Sequence, residues 1–328
     1  MKNATIKDVA ALAGVSISAV SYILNDSNAK KYSKETIKKV KDAAKKLSYR
    51  PNAIAKGMRT GRSFSLGIAN CWDMDNRVFA HILKGVVACA SKLGFSVTIC
   101  PNIDTFSYIS YYENRRIDGV LLIAPALSEK AFDENVHINK LIDANVPFSV
   151  INGISEFENV SYFNFNYAST TFVATDYLIK RNHSKIAYIS PKISSDKSEL
   201  AQRCLGYEQR MNESGFKTSV IDSNDLTPDL LKNYTAVVAN KSDTAKLVLD
   251  MAVSSGISVP DDLSVIAANT EYYSKYLSVP LTTVQFPFEA LGESAAKHTI
   301  NCIQNSAEPI IKTFNGEIIE ASSVSNCK

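Results

Sequence analysis

Little in this chain invites catalysis, metal binding or a membrane. Its six cysteines, Cys71, Cys89, Cys100, Cys204, Cys302 and Cys327, form no CxxC pair and stand at no metal-ligand spacing from a histidine. They read as reduced, mostly buried thiols of a cytoplasmic protein, which excludes a disulfide framework or a zinc site. Only four histidines are present. Asp73, His183 and His298, which an enzyme reading would nominate, belong to no acid–base, nucleophile or metal constellation, and His183 reads as a capping residue between a helix and a strand. No catalytic residue, metal or cofactor is expected. No run reaches the roughly 18 apolar residues of a membrane span, and the Met1-Lys2-Asn3 start opens no secretory signal. Internal repeats and low-complexity tracts are lacking too. What remains is 328 residues, 45% of them hydrophobic, enough for two or three domains with a sizeable core.

Acidic side chains are scarce at one end. Residues 1–62 hold 14 basic and 4 acidic side chains, a net of +10, against −7 for the remaining 266 residues. The overall charge of +3 hides a basic head on an acidic body. Such asymmetry points to a polyanionic partner for the head. Lys30, Lys31, Lys34, Lys38, Lys39, Lys41, Lys45 and Lys46 surround a helix whose Ile37, Val40, Ala44 and Leu47 face inward. Alone, a lysine-rich helix is an ordinary solvated face. Beside a DNA-reading motif it meets phosphates and makes binding salt-dependent.

Residues 5–25 supply such a motif. Thr5 with Asp8 forms a capping box, Gly14 provides the permissive backbone of a turn, and Ser16 caps a second helix. Ile6, Val9, Ala10, Ala13, Val15, Val20, Ile23 and Leu24 recur at helical spacing and form a small core. Ile17, Ser18, Ser21 and Tyr22 stay on the wet face. The spacing predicts a helix-turn-helix whose second helix is free to enter a major groove; an ordinary helical hairpin is the plainer alternative.

Pro51 ends the next helix. Residues 52–58 then have room for one or two helical turns before Thr60-Gly61 breaks them, and so short a helix orders only against a partner. From Phe64 onward, apolar strands at 65–69, 96–100, 119–124, 148–152, 162–164, 185–190, 218–222, 236–240, 264–268 and 283–286 alternate with helical patterns. Those patterns fill 78–93, 130–145, 169–180, 198–214, 243–255 and 288–304. Alternation at this spacing predicts doubly wound parallel α/β units. About eleven strands, counting one at the C-terminus, are too many for one such sheet, so two lobes are expected, with a ligand cleft between them. The predicted fold is therefore a small all-α helix-turn-helix head plus an α/β core of two doubly wound parallel-sheet lobes.

The chain resembles the LacI family of bacterial transcriptional repressors over nearly its whole length. The resemblance is carried by TIKDVAALAGVSISAVSYILN at 5–25, YRPNAIAKGMRTGR at 49–62, VPDDLSVI at 259–266 and PLTTV at 280–284. RIDGV at 116–120 and NHSKIA at 182–187 match two further landmarks. It implies a DNA-binding head at 1–48, a hinge at 49–62 and an effector-binding, dimerising core at 63–328 that resembles periplasmic sugar-binding proteins. One lobe would take about 63–162 with 289–316, the other about 163–288 with the C-terminal strand. The implied function is sequence-specific repression of transcription. Affinity for double-stranded operator DNA would be controlled by a small polar effector, a sugar, sugar phosphate or similar metabolite. The implied assembly is a homodimer, with a tetramer open and no membrane partner. Ligand-independent control, or control by a partner protein, is the alternative. A solute-binding transport protein would need an export signal and no basic head.

The family's base-reading positions fall on Ile17, Ser18 and Tyr22. Relatives often carry Arg or His at the last, where a donor fork reads guanine. Tyr22 has a hydroxyl and a ring instead, and Ile17 offers only apolar contact such as with a thymine methyl. The operator half-site is therefore expected to depart from the common family sequence. Thr5, Ser21 and Asn25 match phosphate-contacting positions, and Ser16 joins the DNA-binding set, though Ser21 also suits a plain solvent-facing serine. Met58 stands where the family's minor-groove wedge is normally Leu, with Asn52, Ala53, Ala55 and Arg59 completing the hinge; packing of the two hinges together is its other reading.

In the effector cleft the resemblance assigns Asp73, Asn76, Phe79, Asn152, Arg203, Lys241, Asn269 and Phe288. Arg203 falls on an arginine that contacts ligand in many relatives, although bridging of surface carboxylates would also suit it. Asn152 and Asn269 replace frequent aspartates, and the usual Asn-Asp pair after the 236–240 strand reads Lys241-Ser242. Those exchanges make the cleft less negative and suit a neutral polar or an anionic ligand. Phe286 and Phe288 supply a stacking wall, with core packing expected of one of them.

Overall fold

A computed structural model describes residues 4–24, 31–49, 60–72, 75–125, 132–154, 157–193, 195 and 198–327. The chain divides into two compact units, Met1–Phe64 and Ser65–Lys328. The first holds α1 (Ile6–Ala13), α2 (Ile17–Leu24) and α3 (Lys34–Lys46). Asp8 starts α1 by accepting from the Thr5 N–H at 2.7 Å and the Thr5 hydroxyl at 2.8 Å. Gly14 stops it in the left-handed region, at φ +66°. The Ser16 hydroxyl then accepts from the Ala19 N–H at 3.1 Å, and that of Ser33 from the Thr36 N–H at 3.1 Å. Caps of this kind satisfy N–H groups that a helix start leaves without partners. Val9, Val20, Ile23 and Val40 form the core with Ala10, Ala43 and Ala44. The chain turns through 103° between α1 and α2, as in a helix-turn-helix.

The second unit contains two six-stranded sheets. Its elements run β1 (Ser65–Asn70), α4 (Arg77–Lys92), β2 (Ser96–Cys100), α5 (Ser107–Glu113), β3 (Gly119–Ile123), α6 (Glu134–Asp143), β4 (Phe148–Ile151) and β5 (Tyr162–Phe165). They continue with α7 (Tyr167–Ile179), β6 (Ile186–Ser190), α8 (Glu199–Glu213), β7 (Val220–Asp222), α9 (Pro228–Leu231), β8 (Ala236–Ala239), α10 (Ser242–Ser254), β9 (Ser264–Ala267) and β10 (Thr282–Gln285). Last come α11 (Phe288–Asn305), β11 (Ile311–Phe314) and β12 (Glu317–Ile319). The first sheet has the order β2-β1-β3-β4-β5-β11, parallel throughout. The second repeats it as β7-β6-β8-β9-β10-β12, with only β12 antiparallel. Central strands such as β3 and β8 are buried along their whole length, which explains their unbroken apolar runs.

Three expectations shift. The lobe boundary expected near 162 falls after β5, because that strand pairs with β4 and β11 in the first sheet. Helix α5 was not expected. Its SYISYYE sequence favours strands by propensity, but Tyr108 is fully buried against the first lobe's core and its hydroxyl lies 2.8 Å from His137 Nδ1. The short α9, started by the Thr227 hydroxyl on the Leu230 N–H, was missed as well.

The lobes exchange the chain three times through short links, between β5 and α7, β10 and α11, and β11 and β12. Two of the links are bonded together: the Asn166 amide donates to Asn315 Oδ1 at 3.0 Å, and the Gly316 N–H to the Ser169 hydroxyl at 2.9 Å. Within each lobe the cleft-bearing helices meet backbone to backbone at glycine. A Cβ on Gly85 of α4 would lie 2.0 Å from the Glu289 carbonyl oxygen, and one on Gly292 of α11 would lie 2.2 Å from that of Ile82. A Cβ on Gly206 of α8 would lie 1.9 Å from the Ala168 carbonyl oxygen of α7. Gly206→Val should therefore lower stability by about 1–3 kcal/mol or more, since overpacking at a backbone contact forces the helices apart. Urea unfolding beside the parent protein measures this, and an unchanged midpoint would contradict it.

Three histidines are hydrogen-bonded in the interior, His137 and His183 buried and His298 half-buried. His183 sits 3.0 Å from both the Thr235 hydroxyl and the Ser325 carbonyl, fastening the C-terminal segment to the second sheet. His298 Nε2 lies 2.7 Å from the Ser161 hydroxyl. Burial holds the pKa values of His137, His183 and His298 below the usual imidazole value. The unfolded chain takes up these protons near pH 6.5 while the folded chain resists them. Their contribution to stability is thus complete above about 6.5 and declines as pH falls below it. A urea midpoint clearly lower at pH 5.5 than at 7.5 is expected; an equal or higher one would refute the assignment.

Candidate functional site

Two surfaces carry candidate chemistry. On the first unit, the outer face of α2 presents Ile17 at 44% and Tyr22 at 50% exposure, with Ser18 exposed and Ser21 half-buried beside them. Apolar side chains this open on so short a motif are not core residues; they are available to a partner. Thr5 and Ser16, exposed at the two helix starts, flank that face. Lys31, Lys34, Lys38, Lys39, Lys41, Lys45 and Lys46 are exposed on and beside α3. Lys39 pairs with Glu35 at 2.8 Å. Asn25, Asn52, Ala53, Met58 and Arg59 lie outside the described residues, as does Asp73 of the cleft.

The second surface is a cavity of about 340 Å³ between the two lobes of the second unit. It opens at the carboxyl ends of the strands, where doubly wound sheets place their ligands. Phe165, Tyr167, Phe286 and Phe288 form one wall. The ring centres of Phe165 and Phe286 are 4.7 Å apart, and Phe165 meets Phe288 edge-on at 5.4 Å. Trp72, Asn76, Glu199, Arg203, Lys241, Asp243, Asn269, Glu271 and Gln285 supply the polar side.

Arg203 is not a surface bridge. It is 3% exposed and held on every side. Its Nε donates to Glu199 Oε1 at 3.0 Å, and Nη2 lies 2.9 Å from the same oxygen. Nη1 donates to the Thr170 hydroxyl at 3.2 Å and the Asn240 carbonyl at 3.1 Å, and also to the Ala268 carbonyl. Lys241 reaches Glu199 Oε2 only at 3.7 Å. Asn269 lines the cavity, but its Oδ1 accepts from the Ser242 N–H at 2.6 Å and so caps α10, while its Nδ2 donates to Glu271 at 3.3 Å. An aspartate there would cap equally well, so the amide says less about ligand charge than expected. Asn76 lines the cavity and caps α4 through Phe79 N–H, at 3.2 Å.

Two expected cleft residues are displaced. Phe79 is 1% exposed and packs under α4 as core, one helical turn inward of Asn76. Asn152 is buried behind the wall instead of lining it: its Oδ1 accepts from the Tyr167 hydroxyl at 3.1 Å, and its Nδ2 has no partner among the described residues. Glu199, Asp243 and Glu271 also face the cleft, so carboxylates remain in it beside Lys241. The i, i+4 spacing of Glu199 and Arg203 was a legible signal for the first. Glu271 and Trp72 come from loops with no local pattern.

A three-helix unit with a bare, basic-flanked recognition face, in one chain with a two-lobed core around a polar cleft, defines a ligand-responsive DNA-binding regulator. Comparison with known proteins agrees. Residues 5–52 match the family described as bacterial regulatory proteins, lacI family, and residues 175–324 match the periplasmic binding protein-like domain. The HTH-type transcriptional repressor PurR of Vibrio atlanticus (strain LGP32) is 28% identical over 98% of both chains. The solved transcriptional regulator CelR-cellobiose complex is 25% identical with a TM-score of 0.61, over 98% of this chain and 99% of that one. The lac repressor dimer bound to operator and the anti-inducer ONPF shares the fold at a TM-score of 0.65 and 21% identity, over 99% and 100% of the two chains. The chain thus carries a lacI-family DNA-binding domain and a periplasmic binding protein-like core, and it is a DNA-binding transcriptional regulator.

Because the Arg203 guanidinium neutralises a buried carboxylate, Arg203→Ala should cost about 3–5 kcal/mol of core stability, the usual loss when one partner of a buried pair is removed. Half-exposed Lys241 should tolerate alanine within about 0.5 kcal/mol. Urea unfolding of both variants tests the contrast, and equal losses would show that Arg203 is not the anchor.

Proposed function

We propose that the protein is a repressor whose grip on a pseudo-palindromic duplex operator is set by a small polar metabolite bound between the core lobes. The observation that carries this reading is the cleft itself, an aromatic wall facing a ring of fixed polar groups, in the same chain as a solvent-exposed recognition face. Stacking surface opposite hydrogen-bonding groups suits a sugar-like or similarly sized ring, and the related CelR was solved with cellobiose. In this reading residues 1–48 bind DNA, 49–62 act as hinge and 63–328 bind effector and dimerise. The protein works in the cytoplasm and carries out no catalysis. A homodimer follows from reach: one helix reads only a few base pairs, so two heads on a symmetric site are needed.

Ile17, Ser18 and Tyr22 would read base edges, while Thr5, Ser16, Ser21 and Asn25 fix register on phosphates. Met58, with Asn52, Ala53 and Arg59 around it, would open the central step from the minor groove. Control by ligand then requires only that the metabolite favour one lobe arrangement over the other.

Fluorescence anisotropy of the full chain on operator and random duplexes tests the reading. Affinity should drop steeply between about 50 and 200 mM salt. Met58→Gly should remove on the order of 1–3 kcal/mol of discrimination, like a mismatched base pair. Equal loss on both duplexes would make Met58 a packing residue. A salt-insensitive, monomeric complex would refute the proposal. A metabolite screen by thermal shift on the same protein identifies the effector through stabilisation by mass action.

A further inference from the structure

A second cavity, of about 490 Å³, lies in the first lobe beside the latter half of α11 and just past the end of α4. Both helices begin at the cleft, so this cavity is at their opposite ends. Volumes of this order hold small molecules. Its floor is apolar: Phe163 and Ile300 are buried there, while Leu93 and Ile310 stay 43% and 40% exposed at the rim. Lys297, Lys312, His298, Ser294, Asn301 and Gln304 supply the polar part. No aspartate or glutamate lines it, whereas three carboxylates line the cleft.

Among the described residues neither lysine has a carboxylate partner. Lys312 donates to the Ser294 hydroxyl at 3.0 Å, and Glu293, one turn before Lys297, pairs instead with Lys92 of α4 at 3.8 Å. His298 adds a third donor. The Ser161 hydroxyl oxygen accepts from the Ile310 N–H at 3.2 Å and lies 2.7 Å from His298 Nε2, which the Cys302 thiol approaches at 3.4 Å. Burial holds the pKa of this imidazole down, so the ring is neutral at pH 7.5. With Nε2 accepting from the hydroxyl, the ring proton stands on Nδ1, where no described residue takes it. Asn301 Oδ1 is occupied by the Asn305 amide at 2.7 Å, while Gln304 can offer either end of its own amide.

Cations and N–H donors without carboxylates, set over an apolar floor with a half-open rim, call for two things in one ligand. An anionic head gains charge-assisted hydrogen bonds and relieves two like charges on one cavity. An apolar body removes the floor and rim from water. We infer that this cavity is a second ligand site, which takes a small organic anion. Its carboxylate or phosphate lies against Lys297 and Lys312, with His298 Nδ1 donating to it, and its apolar body covers Phe163, Ile300 and the rim. This site does not depend on what the cleft binds, although α11 carries both, through Phe288 at one end and Lys297 farther along.

Of the four histidines only His298 lines this cavity, so its ring signals in the histidine-labelled full-length protein report on the site. The probes are phenyl phosphate, benzoate, benzyl alcohol and inorganic phosphate, titrated at pH 7.5 and constant ionic strength, with calorimetry alongside. The expected result is saturable binding of phenyl phosphate or benzoate with a Kd of about 1 mM or tighter, accompanied by a shift of the His298 signal. Whichever of the two binds more tightly identifies the head group. Benzyl alcohol, lacking the charge, and inorganic phosphate, lacking the body, should each bind at least about tenfold more weakly. Lys297 and Lys312 are both exposed, so their exchange leaves the fold intact, as the urea midpoint verifies. Lys297→Gln with Lys312→Gln should weaken the anion at least about tenfold, and the two arginine exchanges should retain it. Failure of both organic anions to saturate, or binding that survives the glutamine exchanges or leaves the His298 signal unmoved, overturns the site. Inorganic phosphate binding as tightly as phenyl phosphate overturns it too, since two surface lysines would then suffice.

Discussion

The buried guanidinium of Arg203 ties the second lobe together. It rises from α8 and bonds to a carboxylate on its own helix, a hydroxyl on α7, and the carbonyls of residues 240 and 268 just past β8 and β9. Those carbonyls lie at strand ends, where the backbone leaves the ladder and its oxygens lose their sheet partners. One planar cation with five donors satisfies several of them at once. The geometry of the cleft floor follows from it. Glu199 is drawn inward, Lys241 is left at the edge of its influence, and the loop bearing Asn269 is set close enough to cap α10.

The glycine contacts do for position what Arg203 does for charge. Helices α4 and α11, and α7 and α8, approach until backbone touches backbone, and all four begin with a residue that lines the cavity or caps beside it, Glu199 in the case of α8. Asn76 precedes α4, Tyr167 opens α7 and Phe288 opens α11. Close contact between main chains leaves little room for the helices to slide, because cores pack to crystal-like density. The aromatic wall is therefore built from the ends of rigid pairs even though its residues come from both lobes.

Much of this was readable in advance. Helix caps are local, so Thr5, Asp8, Gly14 and Ser16 announced the first two helices. Buried parallel strands are short apolar runs, and nearly all were found within two residues. What escaped depended on distant partners. Helix α5 exists because Tyr108 fills a hole over the first sheet, against its own propensity. Phe79 and Asn76 are three residues apart, and only the orientation of α4 decides which faces ligand. Asn152 went behind Tyr167 because that ring occupies the space in front of it. Glu271 escaped for a similar reason, since it enters the cleft from a loop no periodicity marks. Family likeness named positions, and three-dimensional contacts decided which side chains those positions offer.

The three short links between the lobes limit how the core can move. A link of one or two residues spans only several ångströms even when extended, and two of the three are hydrogen-bonded to each other at Asn166–Asn315 and Ser169–Gly316. Such a seam resists separation and sliding far more than bending. The lobes then share essentially one soft coordinate, rotation about the seam, with the cleft at the opening edge. A ligand seated there acts on a lever: a change of an ångström or two at the cavity becomes a larger displacement at the parts of each lobe farthest from the axis. The quantity the core computes from its ligand is an angle.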